Sequence, residues 1–418
     1  MKKYLLSLLT MVVASGLSFG QSFYVCSEGN VETVSELSFT NNGMTLNGSM
    51  STAAVDSITL HVPALRFVGG DLSLLPSYEQ HGAKYMDVDG QPINGLLPYL
   101  KQQGWNAVRV RLFVDPSLAS SADKGQGVCQ DLDYVKAFGK QVKEAGMLLM
   151  LDFHYSDSWA DPAKQWIPAS WVSFSEEELK TKIYDYTKDC LEQMNVAGAS
   201  PDFIQTGNEI SYGLLWGKEG TKTWFCNSGA SDNVWNRFTT LLKQAGKACR
   251  EVCPRAKIVL HTERVSNTGV LTNFYNKMRQ AGVDYDIIGL SYYSYYHGDL
   301  NALGSALSLL ENQFANKQIM IVEAGYYHAW QPTGSDIKDI SSVYPINAEG
   351  QKAFTNDLIA VLKSHKNVTG LFWWWPEANE YGLNWDTQRV TNEWYNAGLF
   401  DNQTGRAMPA LYELKNFR

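Results

Sequence analysis

Two patterns of apolar and polar residues divide this chain. Over residues 22–62 the two kinds alternate singly, and Asn42-Gly43 and Asn47-Gly48 supply turn dipeptides, which predicts short antiparallel hairpins. So few short strands hold little core of their own, so this stretch is expected to pack on a larger body. From Leu65 onward, apolar runs of strand length alternate with longer stretches of helical period. The predicted strands are Leu65–Gly70, Ala107–Phe113, Met147–Phe153, Asp202–Asn208, Lys257–Thr262, Asp286–Tyr293, Gln318–Glu323 and Gly370–Trp375. Amphipathic helices are predicted between them, among them Asp131–Ala145, Glu176–Val196, Asp232–Val252 and Gly350–Ser364. A succession of β-then-α units requires parallel strands, and closing them on themselves is the economical arrangement. The expected fold is therefore α/β, a (β/α)8 TIM barrel over 64–418 with a small β-rich N-terminal extension over 21–63. A doubly wound open sheet is the alternative, but it normally has fewer strands, and no Gly-x-Gly-x-x-Gly loop follows the first strand.

The strand ends carry the chemistry. Two apolar strands run into glutamates, in Gln205-Thr206-Gly207-Asn208-Glu209 and in Ile321-Val322-Glu323. An unpaired carboxylate is costly inside a sheet, whereas at the C-terminal mouth of a barrel it meets solvent and substrate. Strands four and seven would set Glu209 and Glu323 across the barrel from each other, and a pair of carboxyl groups flanking a bond is the equipment of glycoside hydrolysis. Other polar and aromatic residues gather at the same ends. Asn208 could hold a sugar hydroxyl. Arg111, His154 and a strand-six tyrosine, Tyr293 or Tyr295, could hydrogen-bond the carboxylates and set their proton affinities apart. Trp374 could form a stacking floor for one ring, and Trp159 could line another subsite. Asp71, Arg109 and Asp157 complete the expected substrate-binding set, with a structural role inside the barrel as the alternative for Arg109. Trp373 and Trp375 are expected to face away from Trp374. Glu263, Glu377 and Glu380 are rival carboxylates that follow no clean strand-ending pattern.

Composition narrows the partners. The net charge is −8 and the chain holds 13 tryptophans. That balance argues against nucleic acid, which calls for a basic stripe, and suits a neutral glycan. Lys2 and Lys3, the apolar run Leu5–Leu17 and the small-residue end Ser18-Phe19-Gly20 form a signal peptide over 1–20, with cleavage expected after Gly20. Export to the periplasm, the cell surface or the medium follows. The run is short for a membrane span, no other stretch is a transmembrane candidate, and Cys26 lacks a lipobox. The six cysteines include no Cys-x-x-Cys motif, and mostly free, buried thiols with one or two disulfides at most are expected.

From Phe67 to Trp375 the chain resembles glycoside hydrolase family 53, the endo-β-1,4-galactanases. The resemblance rests on Val108–Pro116 (VRVRLFVDP), Leu151–Pro162 (LDFHYSDSWADP), Pro201–Ile210 (PDFIQTGNEI), Ile288–Tyr293 (IGLSYY) and Val322-Glu323-Ala324. It implies that Glu209 is the acid/base and Glu323 the nucleophile, with net retention, and that the substrate is the β-1,4-galactan of pectin side chains (type I arabinogalactan). The chain departs from the family at Trp375, where a glutamate usually stands, and in the run before Tyr344-Pro345. There the family's structural calcium ligands reduce to two candidates, Asp336 and Asp339. No cofactor is required, and a monomer is expected. A mannanase or cellulase on the same fold, or a non-catalytic glycan-binding barrel, are the rival readings.

Overall fold

The computed structural model describes residues 65–418, apart from 333, 335 and 385–388, together with the backbone of short strands between 23 and 59. The leader expected over 1–20 and the side chain of Cys26 lie outside the described residues. The chain divides into two units, 1–65 and 66–418.

In the first unit, Phe23–Ser27 pairs antiparallel with Asn30–Val34 and with Ser57–Thr59. A second small sheet joins Leu37–Thr40, Gly43–Leu46 and Ser49–Met50. Thr40 pairs with Gly43 and Leu46 with Ser49, at the two Asn-Gly positions.

The second unit is a closed parallel barrel in which every strand neighbours the next in sequence. Its strands are β1 (Phe67–Asp71), β2 (Ala107–Leu112), β3 (Leu148–Phe153), β4 (Phe203–Thr206), β5 (Lys257–Thr262), β6 (Ile287–Tyr292), β7 (Gln318–Ala324) and β8 (Val368–Trp374). β8 returns to pair with β1, Phe372 opposite Gly69 and Trp373 opposite Gly70, so no edge is left open. Gly69 is needed at this seam, because a Cβ there would stand 2.2 Å from the Ala107 carbonyl oxygen.

β2 shows how the sequence builds the wall. Val108, Val110 and Leu112 join the apolar core shared with the helices. Arg109 and Arg111 alternate with them on the other face, inside the barrel, where both reach Asp71. The helices Glu176–Val196 and Asp232–Val252 run as the sequence predicts. The first opens on a capping box in which Ser175 and Glu178 each satisfy the other's backbone N–H. The second buries Trp235, Phe238, Leu242 and Cys249 at helical spacing.

The strand boundaries agree with the pattern to within two residues; β4 stops at Thr206 rather than Asn208. Gly207 then takes φ 106° and Glu209 φ 47°. Left-handed backbone needs glycine at the first of these and strains a side chain at the second. Glu209 is therefore carried by a tight loop rather than by the strand end itself. Five cysteines are described, and all five are free. Among the described residues, no helix is long and apolar enough to cross a membrane.

Candidate active site

The C-terminal ends of the strands open on a cavity of about 710 Å³ lined by Glu209, Glu323, Asn208, Tyr293, Glu263 and the tryptophans 159, 374, 375 and 394. A second cavity of about 440 Å³, lined in part by Tyr327, Trp330 and Asn396, shares Tyr296, Glu393 and Trp394 with it.

Glu323 is 5 % exposed and held from two sides. Arg109 Nη1 lies 3.1 Å from its Oε1, and the Tyr293 hydroxyl donates to its Oε2 at 3.0 Å. Burial lifts its proton affinity to about 7, against the pull of Arg109. Glu209 is lifted further, well above the usual carboxyl range, first by loss of water and then by repulsion from Glu323 and Glu263. Both carboxyls are thus pushed up, and the repulsion between them disfavours ionising both, with the heavier push on Glu209. Environments that separate two titrating groups in this way mark an acid and its anionic partner.

Beneath them lies a buried polar plug. Arg109 Nη1 meets Asp71 Oδ2 at 2.8 Å, and its Nη2 donates to Asp152 Oδ2 and Asn208 Oδ1, each at 2.8 Å. Its Nε reaches Gln205 Oε1 at 3.3 Å. Asp71, Arg109, Asp152 and Gln205 are all 0 % exposed.

This depth corrects part of the expected binding set. Asp71 and Arg109 do not line the cleft; they form its floor, where Arg109 favours the Glu323 charge and Asp71 opposes it. Arg111 is equally buried, with its guanidinium 4.8 Å from the Trp159 ring, 4.9 Å from Trp374 and 5.1 Å from Trp375. It supports the tryptophans as a cation beneath their rings. His154 is 2 % exposed, accepts from the Ala160 amide at Nδ1 (3.0 Å) and faces Asp152 through Nε2 (3.1 Å), so it fixes the Trp159 loop. Asp157 accepts from the amides of Asp115 (3.1 Å) and Ala169 (2.7 Å) and is a loop clasp. Tyr295 packs behind the wall, stacked on Tyr327 at 4.5 Å. Asn208, Tyr293, Trp159 and Trp374 do line the cavity. Alternation along a strand reveals which residues point inward, but not how deep each one lies.

Trp375 also departs from expectation. Its φ of 45° swings the ring back, and it stacks on Trp374 at 5.3 Å and 15° instead of facing away. Trp373 does pack behind the barrel, its Nε1 donating to the Ala397 carbonyl at 3.0 Å. Trp394, which the strand-end reading missed, stands 6.3 Å from both Trp374 and Trp375 and 5.8 Å from Tyr293. It is reached by a long loop after β8, so no strand-end rule could find it.

Among the rival carboxylates, Glu263 reaches the cavity, gripped by the Ser211 hydroxyl at 2.5 Å and Arg264 Nε at 2.6 Å. Glu380 does not line the cavity. Glu377 is fully buried, and its Oε1 accepts from the Leu74 amide at 3.0 Å. Burial and the nearby Asp71 charge raise it from 4.5 to about 8. A carboxyl raised on folding stabilises the fold fully below its unfolded value, and that contribution is lost as pH climbs to the folded value. Between pH of about 4.5 and about 8, the melting temperature of the wild type should therefore fall relative to Glu377→Gln, which cannot ionise, and run parallel to it above that range. Calorimetry of both proteins across this window checks it; parallel curves throughout would mean Glu377 does not titrate there.

Among the described residues, no three His, Cys, Asp or Glu side chains come together to hold a metal ion. Asp339 turns its carboxylate onto the Ser341 amide at 2.9 Å, and Asp336 lines the main cavity instead.

Comparison with known proteins adds four relationships. The family model "Glycosyl hydrolase family 53" matches residues 67–414. An arabinogalactan endo-beta-1,4-galactanase of Thermothelomyces thermophilus is 32 % identical over 359 residues, covering 83 % of this chain and 98 % of that one. An uncharacterized protein in the bgaB 5' region of Niallia circulans is 36 % identical over 356 residues, covering 83 % and 93 %. Among solved structures, the Ignisphaera aggregans GH53 catalytic domain superposes with a TM-score of 0.72 at 32 % identity, covering 84 % of this chain and 96 % of that one.

Proposed function

The chain belongs to glycosyl hydrolase family 53, and from that membership and the geometry of the cleft we propose that it is an exported, retaining endo-β-1,4-galactanase acting on the galactan side chains of pectin. The observation that carries this reading is the pair Glu209 and Glu323, converging on one cavity with unequal proton affinities. Glu323, charged by Arg109 and steadied by Tyr293, attacks the anomeric carbon. Glu209 gives its proton to the departing oxygen and then takes one from the incoming water. The tryptophan wall offers flat apolar surface to the ring faces of a sugar. A second cavity that shares Tyr296, Glu393 and Trp394 with the first favours an extended chain over a single terminal residue, which supports internal cleavage. The basic, apolar and small-residue order of residues 1–20 supports export.

Purified polysaccharides test the substrate: β-1,4-galactan should be cut to oligosaccharides, with mannan and cellulose left intact. Proton NMR during hydrolysis tests the stereochemistry, and the β-anomer should appear first. Glu209→Ala should lose galactan hydrolysis by about 10²–10⁴-fold. It should retain attack on dinitrophenyl glycosides, whose leaving group departs without a proton. Equal losses on the two substrates would remove Glu209 from the acid role.

A further inference from the structure

The strained turn at Glu209 has a local effect: its own amide points into the barrel and donates to Nδ1 of His261 at 3.3 Å. A ring nitrogen that accepts cannot also carry the proton of a neutral imidazole, so His261 bears its proton on Nε2. That nitrogen lies 2.8 Å from Ser291 Oγ. Ser291 thus accepts from His261 and places its own hydrogen on Glu209 Oε1, 2.6 Å away. The path begins on the amide of Glu209 and closes on the carboxyl of the same residue.

The opposite tautomer is disfavoured by its neighbours. It would gain one contact, an Nδ1 proton aimed at Asn208 Oδ1, 3.0 Å away, which also accepts from Arg109 at 2.8 Å. Against that, it would turn two donors, the Glu209 amide and Gln205 Nε2 at 3.1 Å, onto an N–H. His261 and Ser291 are each 0 % exposed and in direct contact at 2.8 Å. Burial and the Arg109 charge hold His261 well below the ordinary imidazole range, which keeps the ring neutral.

We infer that His261 and Ser291 are positioning residues for the acid step, committing Oε1 of Glu209 to accept a hydrogen bond so that the transferable proton resides on Oε2. The inference rests on Glu209 acting as the acid. In that step the Oε2–H bond breaks as the glycosidic C–O bond breaks. The proton and the bonding pair go to the leaving oxygen, while Glu323 forms the new bond to the anomeric carbon. In the second step water loses a proton back to Oε2, and its oxygen displaces Glu323. A carboxyl free to turn would spend part of its time with the proton on the wrong oxygen, and small misplacements at a reacting atom are costly.

Leaving-group dependence tests the inference. Ser291→Ala should lower kcat/KM on galactan about 10²-fold, while kcat/KM on a dinitrophenyl β-galactobioside, which needs no proton, changes by less than about threefold. Azide, which attacks the glycosyl-enzyme without a base, should restore kcat on the aryl substrate. A purely structural serine would depress both substrates alike, and that result, or no loss on galactan, overturns the inference. If Ser291→Ala does not fold by thermal melt, Ser291→Cys carries the same comparison, with a weak donor at the same place. Wild-type turnover on galactan tests the substrate reading separately. The contrast between leaving groups keeps its meaning for any β-glycan the wild type cleaves, with the aryl glycoside matched to it.

Discussion

Glu323→Ala should fold normally and turn over galactan at least roughly 10⁴-fold more slowly than the wild type, because on the proposed mechanism it removes the atom that bonds the anomeric carbon. The loss should extend to dinitrophenyl glycosides, since an activated leaving group does not replace a nucleophile. Stability should change little: Arg109 keeps Asp71 and Asp152, at 2.8 Å each, after its third carboxylate is gone. Added azide supplies a diagnostic. In Glu323→Ala it would attack from the vacated face and give the inverted glycosyl azide, whereas in Glu209→Ala it would follow Glu323 and give the retained one. Product NMR reads the difference. Retained azide from Glu323→Ala, or substantial residual turnover of the aryl substrate, would place the nucleophile elsewhere.

Arg109→Met should be damaging in two separable ways. Methionine fills similar volume without charge, so Asp71, Asp152 and Glu323 would lose their common counter-ion inside the barrel. Breaking a buried pair by removing one partner costs about 3–5 kcal/mol, and urea melts should show a loss of that order. Arg109 also lowers the proton affinity of Glu323 against the upward push of burial. Without it Glu323 ionises only at higher pH, so the acid limb of the pH–rate profile should move upward in whatever folded fraction remains. Arg109→Lys should recover part of the charge but not the forked contacts. A variant as stable as the wild type with an unmoved acid limb would mean that the plug neither holds the fold nor charges the nucleophile.

The barrel was legible because its signal is repeated. β5 and the helices 176–196 and 232–252 fall on their expected bounds, since each is a long run of one period closed by a turn or cap. Glu209 shows where such reading stops. The strand before it ends two residues early, and a glycine and a left-handed glutamate make the rest of the approach. Backbone sign is not written in apolar periodicity. The same blindness hid Trp375, which a strand rule sends outward and a φ of 45° brings in. Depth was the other gap. Arg109 and Arg111 share a face by alternation, but only the packed barrel reveals that one charges a carboxylate while the other underlies three indoles. Asp157 sits within a dense run of polar and aromatic residues, and sequence offers no means of telling a loop clasp from a ligand.

Those crowded indoles make the site its own optical reporter. Trp374 and Trp375 lie 5.3 Å apart and nearly parallel, with Trp159 6.1 Å from each and a guanidinium close under all three. Transition dipoles at such separations mix, and a chiral pair of this kind rotates light differently from isolated chromophores. A sugar settling on the outer faces displaces water from rings whose emission depends on local polarity. Occupancy of the cleft can thus be followed through intrinsic fluorescence and circular dichroism, on unlabelled protein and on substrates that carry no chromophore.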